Sequence, residues 1–117
     1  MGGLVSYHSG IAAETAVARH YAQSGRPVAA TRWRGTGGEI DLIARDGAEV
    51  IFIEVKAART HAYAAERVTE RQMQRIMSAA SEFLAGEPAG QGTLVRFDVA
   101  LVDGSGQIDI IENAFAA

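Results

Sequence analysis

The chain has 117 residues, 48% of them hydrophobic and 21% charged, with a net charge of −3. This is the composition of an ordinary globular protein, and residues 1–117 are expected to form a single domain. There is no cysteine, which excludes disulfides and thiolate zinc sites; no apolar run approaches the ~18 residues of a membrane span, and no signal-peptide pattern opens the chain, so a cytoplasmic protein without a membrane partner is expected.

Residues 10–24 read as a helix, with Ile11, Val17, Ala18 and Tyr21 at helical spacing and "SGRP" as its stop. "VAATRWR" follows as a first strand and "GTGG" as a flexible link. Residues 39–45 and 49–56 are strands around Asp46-Gly47, a strong hairpin signal. Residues 57–67 read as a polar, alanine-rich loop. A second helix is expected over residues 69–84, where Met73, Ile76, Met77, Ala80, Phe83 and Leu84 make an apolar stripe. "TLVRFDVALV" is a long strand, residues 103–106 a turn, and "QIDIIENAF" a last strand and tail. A helix between the third and fourth strands is the usual way to make a parallel crossover. The expected architecture is therefore an antiparallel meander extended by a parallel strand, with helices on the sheet.

The hairpin carries the chemistry. Turning at Asp46-Gly47 sets Asp41 opposite Phe52 and Glu39 opposite Glu54. A two-residue slip sets Asp41 directly opposite Glu54. Either way Glu39, Asp41, Ile43, Val50, Phe52, Glu54 and Lys56 share one face, because side chains alternate. Ile40, Leu42, Ile51, Ile53 and Val55 take the other, which is the expected main core. Asp41 and Glu54 are close enough in both registers to converge on one cation. Lys56, the only lysine in the chain, can reach back over the same place. Without cysteine, the metal such oxygens would hold is a hard one, magnesium or manganese. Glu14 interrupts the core-facing stripe of the first helix and needs a partner or a route to water. On spacing alone, a solvated outer face laced with ion pairs is the stronger reading of these acids, since antiparallel sheets often have one.

Charge is unevenly spread. Residues 1–75 hold ten basic and eight acidic groups, whereas residues 76–117 hold one arginine and six acids. Neutralising the acids of the hairpin would leave the first part distinctly basic, with Arg26, Arg32 and Arg34 in one window. Trp33 stands between two of these arginines; it either stacks on an unpaired base or, as lone tryptophans more often do, covers the core edge. Asp98 in "RFDV" is expected to pair with a neighbouring arginine rather than a metal.

The segment "GEIDLIARDGAEVIFIEVKAAR", with "RVTERQMQRI", "RFDVALV" and "IIENAF", resembles the YraN-type family of small uncharacterised bacterial proteins (UPF0102), over residues 8–115. That family is assigned to the restriction-endonuclease-like PD-(D/E)xK nuclease superfamily. The resemblance implies an α/β fold with an αβββαβ core and a divalent-metal-dependent phosphodiesterase site. It makes Asp41 the acid of the first half-motif and Glu54-Val55-Lys56 the E-x-K. It implies metal binding by Asp41, Glu54 and the Val55 carbonyl, with Glu14 completing the outer coordination and Glu39 an auxiliary acid. It points to DNA, structured or branched, as the substrate, contacted by Arg32, Arg34, Arg59, Arg71 and Trp33.

Three departures stand out. Gln72 occupies a position where the family usually has lysine, and Thr69-Glu70-Arg71-Gln72 also spells a T-x-x-Q capping box. "EVKAAR" replaces "EVKTR", so Arg59 does the arginine's work one position later. "TRWR" replaces "RNWR". A nucleic-acid-binding module with a latent site, or an interaction protein using its acidic last third, are the competing readings. A nuclease that cuts two strands often works as a symmetric dimer, for which the glycine loop and the "NAFAA" tail are candidate contacts.

Overall fold

The structure is a computed structural model that describes residues 2–115, with side chains from Gly10 onward. Five strands lie in the order of their sequence: β1 (Val28–Arg34), β2 (Glu39–Asp46), β3 (Glu49–Ala57), β4 (Val95–Val102) and β5 (Ile108–Ile111). β3 and β4 run parallel and every other neighbouring pair is antiparallel. The parallel crossover carries α2 (His61–Glu66) and α3 (Glu70–Leu84), and α1 (Gly2–Gln23) precedes the sheet. The αβββαβ order implied by the resemblance is present.

Residues 57–67, read above as a loop, hold α2. Thr60 caps it by accepting from the Tyr63 amide at 3.2 Å, which gives six alanine-rich residues a start. Thr69 does the same for α3, accepting from the Gln72 amide at 3.2 Å.

The sheet is covered on both sides. Val17 and Tyr21 of α1 pack with Leu42, Ile51, Ile53 and Val102 on one face. Ile76, Ala79, Ala80 and Leu84 of α3 pack with Ile43, Val50, Phe52 and Phe97 on the other. One main core and one wet face were expected; the structure buries both faces, with a third, smaller cluster of Ala64, Val99 and Leu101 under α2. Ile43, Val50 and Phe52 explain this, since burying each stabilises by roughly 1.5–3 kcal/mol, too much to leave the acids' face to water.

The hairpin also turns one residue later than expected. Ile43 faces Phe52 and Asp46 faces Glu49, so the loop is Gly47-Ala48. Gly47 has φ of 59°, the left-handed conformation that primed hairpin turns require. Ile40 departs from its expected side and joins the α3 core with Ile43. The break in alternation lies beside Arg32, which has φ of 48° between the pairs Thr31–Leu42 and Trp33–Ile40.

The glycine link between β1 and β2 is clamped rather than flexible. The Glu82 carboxylate of α3 accepts from the Thr36 amide and hydroxyl and from the Gly37 amide, and these bonds hold its pKa below the usual carboxylate range. A β-carbon on Gly37 would stand 2.3 Å from Ser78 Oγ and 2.8 Å from Ser78 Cβ. Gly37→Ala is therefore expected to cost about 1–3 kcal/mol through overpacking. An unaltered melting temperature in scanning calorimetry would show that the link does not need to lie on α3.

Asp98 is fully buried and pairs as expected. It accepts from Tyr21 Oη at 2.7 Å, from Arg96 Nε at 2.9 Å and Nη2 at 3.2 Å, and from the Asn113 amide at 3.0 Å. Burial first, then this bond, pushes the Tyr21 phenol well above its ordinary pKa. The tail follows from Asn113: the Ala114 amide donates to the Phe97 carbonyl, and the Phe115 ring stacks on Phe97 with centroids 5.0 Å apart. Phe115, offered above as a dimer contact, is thus used within the chain; the last two residues of "NAFAA" lie outside the described residues.

Candidate active site

The paired ladder of β2 and β3 ends at Leu42–Ile53, and one further step in that register sets Asp41 opposite Glu54. There a side chain replaces the backbone: Asp41 Oδ2 accepts from the Val55 amide at 2.8 Å. The carboxylate is thereby held against the strand that carries Glu54. Glu54 is only 4% exposed and lies beside Asp41, while Lys56 Nζ lies 3.1 Å from Glu54 Oε2. Both neighbours follow from strand alternation, since Glu54 and Lys56 are two residues apart.

This environment sets the charge. Burial and then the nearby Asp41 charge push the Glu54 carboxyl up to about 8; Lys56 opposes this and is outweighed. At neutral pH Glu54 therefore keeps a proton, and the contact with Lys56 is an ammonium donating to a neutral acid. A divalent cation would displace that proton and relieve the repulsion between two neighbouring carboxylates, so the donor set suits a hard metal.

Among the described residues no three carboxylate or imidazole side chains converge as a metal-binding group. The structure brings together Asp41, Glu54 and Lys56, and engages the remaining acids elsewhere. Glu14 Oε1 accepts from Arg32 Nε at 2.9 Å, and Glu39 Oε2 from Arg34 Nη2 at 3.1 Å. Trp33 packs edge-on against Phe83 at 5.5 Å between centroids, at the margin of the α3 core. Arg59 and Arg71 are exposed.

Two depressions flank the acid pair. One, of about 270 Å³, is lined by Glu39, Asp41, Glu54, Gln72 and Arg75. Thr69 caps α3 with its hydroxyl, to which Gln72 gives only its backbone amide; among the described residues the reciprocal side-chain bond of a capping box is not formed, and Gln72 lines the site. The other, of about 370 Å³, is lined by Glu14, Val55, Lys56 and Arg67.

Comparison with known proteins places the chain in a family. The model of "Uncharacterised protein family UPF0102" matches residues 13–102. The chain belongs to that family. A UPF0102 protein of Cereibacter sphaeroides is 71% identical over 117 residues, the full length of both chains. UPF0102 proteins of Ruegeria pomeroyi and Roseobacter denitrificans are 56% identical over 113 residues and 46% identical over 114 residues. Each alignment covers 97% of this chain, and 92% and 88% of the respective relative. In this UPF0102 protein Glu14, Asp41, Glu54, Lys56 and Gln72 all lie within the matched span.

Two residues of the site escaped the sequence reading, Arg67 and Arg75. Arg75 could have been found, because it lies one helical turn on from Gln72 at i+3. Arg67 carried no such signal, since it follows a helix that was read as loop.

Proposed function

We propose that this UPF0102 protein is a divalent-metal-dependent endonuclease that hydrolyses phosphodiester bonds, with structured or branched DNA as its substrate. The observation that carries this reading is the contact of a buried acid, Glu54, with a second acid and with the only lysine in the chain.

Asp41 and Glu54, with the Val55 carbonyl, would hold magnesium or manganese; two carboxylates suit a hard ion that keeps several waters. Bound there, the metal would supply acidification of a water and neutralisation of charge on the phosphate. Lys56, a compact point charge, would orient the attacking water and offset phosphate charge. The Val55 amide would keep Asp41 in place throughout. Hydrolysis forms a bond from the water oxygen to phosphorus and breaks one P–O ester bond, the proton passing to the leaving oxygen.

A second reading, a nucleic-acid-binding module with a latent site, draws support from Glu14 and Glu39, whose carboxylates are bonded to arginines. The test is incubation of the purified protein with labelled four-way junctions, flaps and single strands, with manganese or magnesium and without. Metal-dependent cleavage supports the first reading. Binding of the same substrates without turnover under any of these ions supports the second.

A further inference from the structure

The arginines of this protein divide into two groups. Arg26 pairs with Asp46 and Glu112, Arg32 with Glu14, Arg34 with Glu39, Arg45 with Glu87, and Arg96 with Asp98 and Glu49. Arg19, Arg59, Arg67, Arg71 and Arg75 are exposed, and among the described residues none has a carboxylate at ion-pair distance. Arg19 stands by itself on α1, whereas the other four come from one stretch of chain, from the residues after β3 through the first turns of α3. The window around β1 looked the more basic in sequence, yet the folded protein has matched its charges.

Position sharpens the division. Arg67 follows α2, and its Nη1 donates to the Ala57 carbonyl at 2.7 Å, which fixes the guanidinium at the end of the strand that carries Lys56. It lines the depression on the Lys56 side of the acid pair. Arg75 lines the depression on the Gln72 side. An arginine beside its own glutamate presents a neutral pair to an approaching anion, whereas Arg67 and Arg75 present full charge.

We infer that the α2–α3 corner is the nucleic-acid-binding face, with Arg67 and Arg75 contacting backbone phosphates on either side of Asp41, Glu54 and Lys56. This rests on the reading of that cluster as a site for nucleic acid. The strand crosses the acid pair, one guanidinium meeting the phosphates before it and the other those after it. Arg32 and Arg34 serve the fold and the electrostatics of Glu14 and Glu39, and contribute little to binding.

The experiment is fluorescence anisotropy with a labelled four-way junction and a labelled single strand, in chelator so that no cleavage occurs. Arg67→Gln/Arg75→Gln is expected to weaken binding about tenfold or more and to reduce the slope of log affinity against log salt by about 2. Arg32→Gln/Arg34→Gln is expected to weaken it less than about threefold, each exposed arginine pair being worth little. Arg75→Gln alone serves as a second variant, because among the described residues the Arg75 side chain makes no hydrogen bond whose loss would unfold the protein. The inference falls if the two double variants lose affinity equally or in the reverse order. It falls equally if the α2–α3 variants bind normally, or if the native protein binds neither probe. Cleavage is scored separately. A native protein that binds with this ranking but never cuts would end the endonuclease reading and leave the binding face in place. One that cuts, while Arg67→Gln/Arg75→Gln binds as the native protein does, would do the opposite.

Discussion

Asp41→Asn is expected to abolish metal-dependent cleavage, and Lys56→Ala to lower it by about 10²–10⁴-fold, with the fold intact in both. Asparagine keeps an oxygen that can accept the Val55 amide, which Asp41 now does at 2.8 Å, so the β2–β3 junction survives while the charge is lost. Among the described residues Lys56 forms an ion pair only with Glu54, and its removal leaves a buried acid with one donor fewer. The loss should therefore fall on chemistry rather than on structure. Lys56→Arg is expected to recover little, because a planar fork cannot take the place of a compact ammonium. Product formation on denaturing gels, with circular dichroism as the control for folding, decides the matter. Normal cleavage by Lys56→Ala would remove the mechanism proposed above.

The second large effect concerns stability and pH. Glu54 titrates at about 8 in the folded protein against an ordinary value of 4.5. Between those values the folded state holds a proton that the unfolded chain has released, so rising pH favours unfolding. The stabilisation is fully present below about 4.5 and is lost as pH rises through about 8. Because the carboxyl is almost wholly buried, the swing is on the order of a few kcal/mol. In chelator, the melting temperature of the native protein should fall as pH is raised from about 5 to about 9. Glu54→Gln, neutral at every pH, should flatten this profile and melt higher than the native protein at the alkaline end. Manganese should recover part of the alkaline loss in the native protein, since a ligand of the folded state stabilises it, and none in Glu54→Gln. A native profile as flat as that of the variant would mean that Glu54 carries no proton.

The strands and long helices were legible because their periods are strong, and so was the face shared by Asp41, Glu54 and Lys56. The register was not: alternation is blind to a two-residue slip, and both Asp46-Gly47 and Gly47-Ala48 make acceptable two-residue turns. Glycine at the first loop position decided it. The switch of Ile40 to the α3 side falls beside Arg32, whose φ is 48° on the neighbouring strand, and no pattern within β2 announces it. The fates of Glu14 and Glu39 were hidden for a related reason. Each has an arginine from β1 as its partner, so the acids that looked available for a metal and the arginines that looked available for phosphate neutralise one another. The glycine link looked flexible because composition records the absence of side chains; it does not record that Glu82, on α3 more than forty residues away, takes up its amides.

Asp98 ties the first helix to the segment that follows the last strand. Its hydroxyl donor is Tyr21, in the first helix, and its amide donor is Asn113, beyond the last strand. During synthesis the first helix, the hairpin and α3 all leave the ribosome before the residue that completes this cluster. The interior around Asp98 is therefore completed only once Asn113 has emerged, and a stop codon ahead of that residue would be felt at Tyr21.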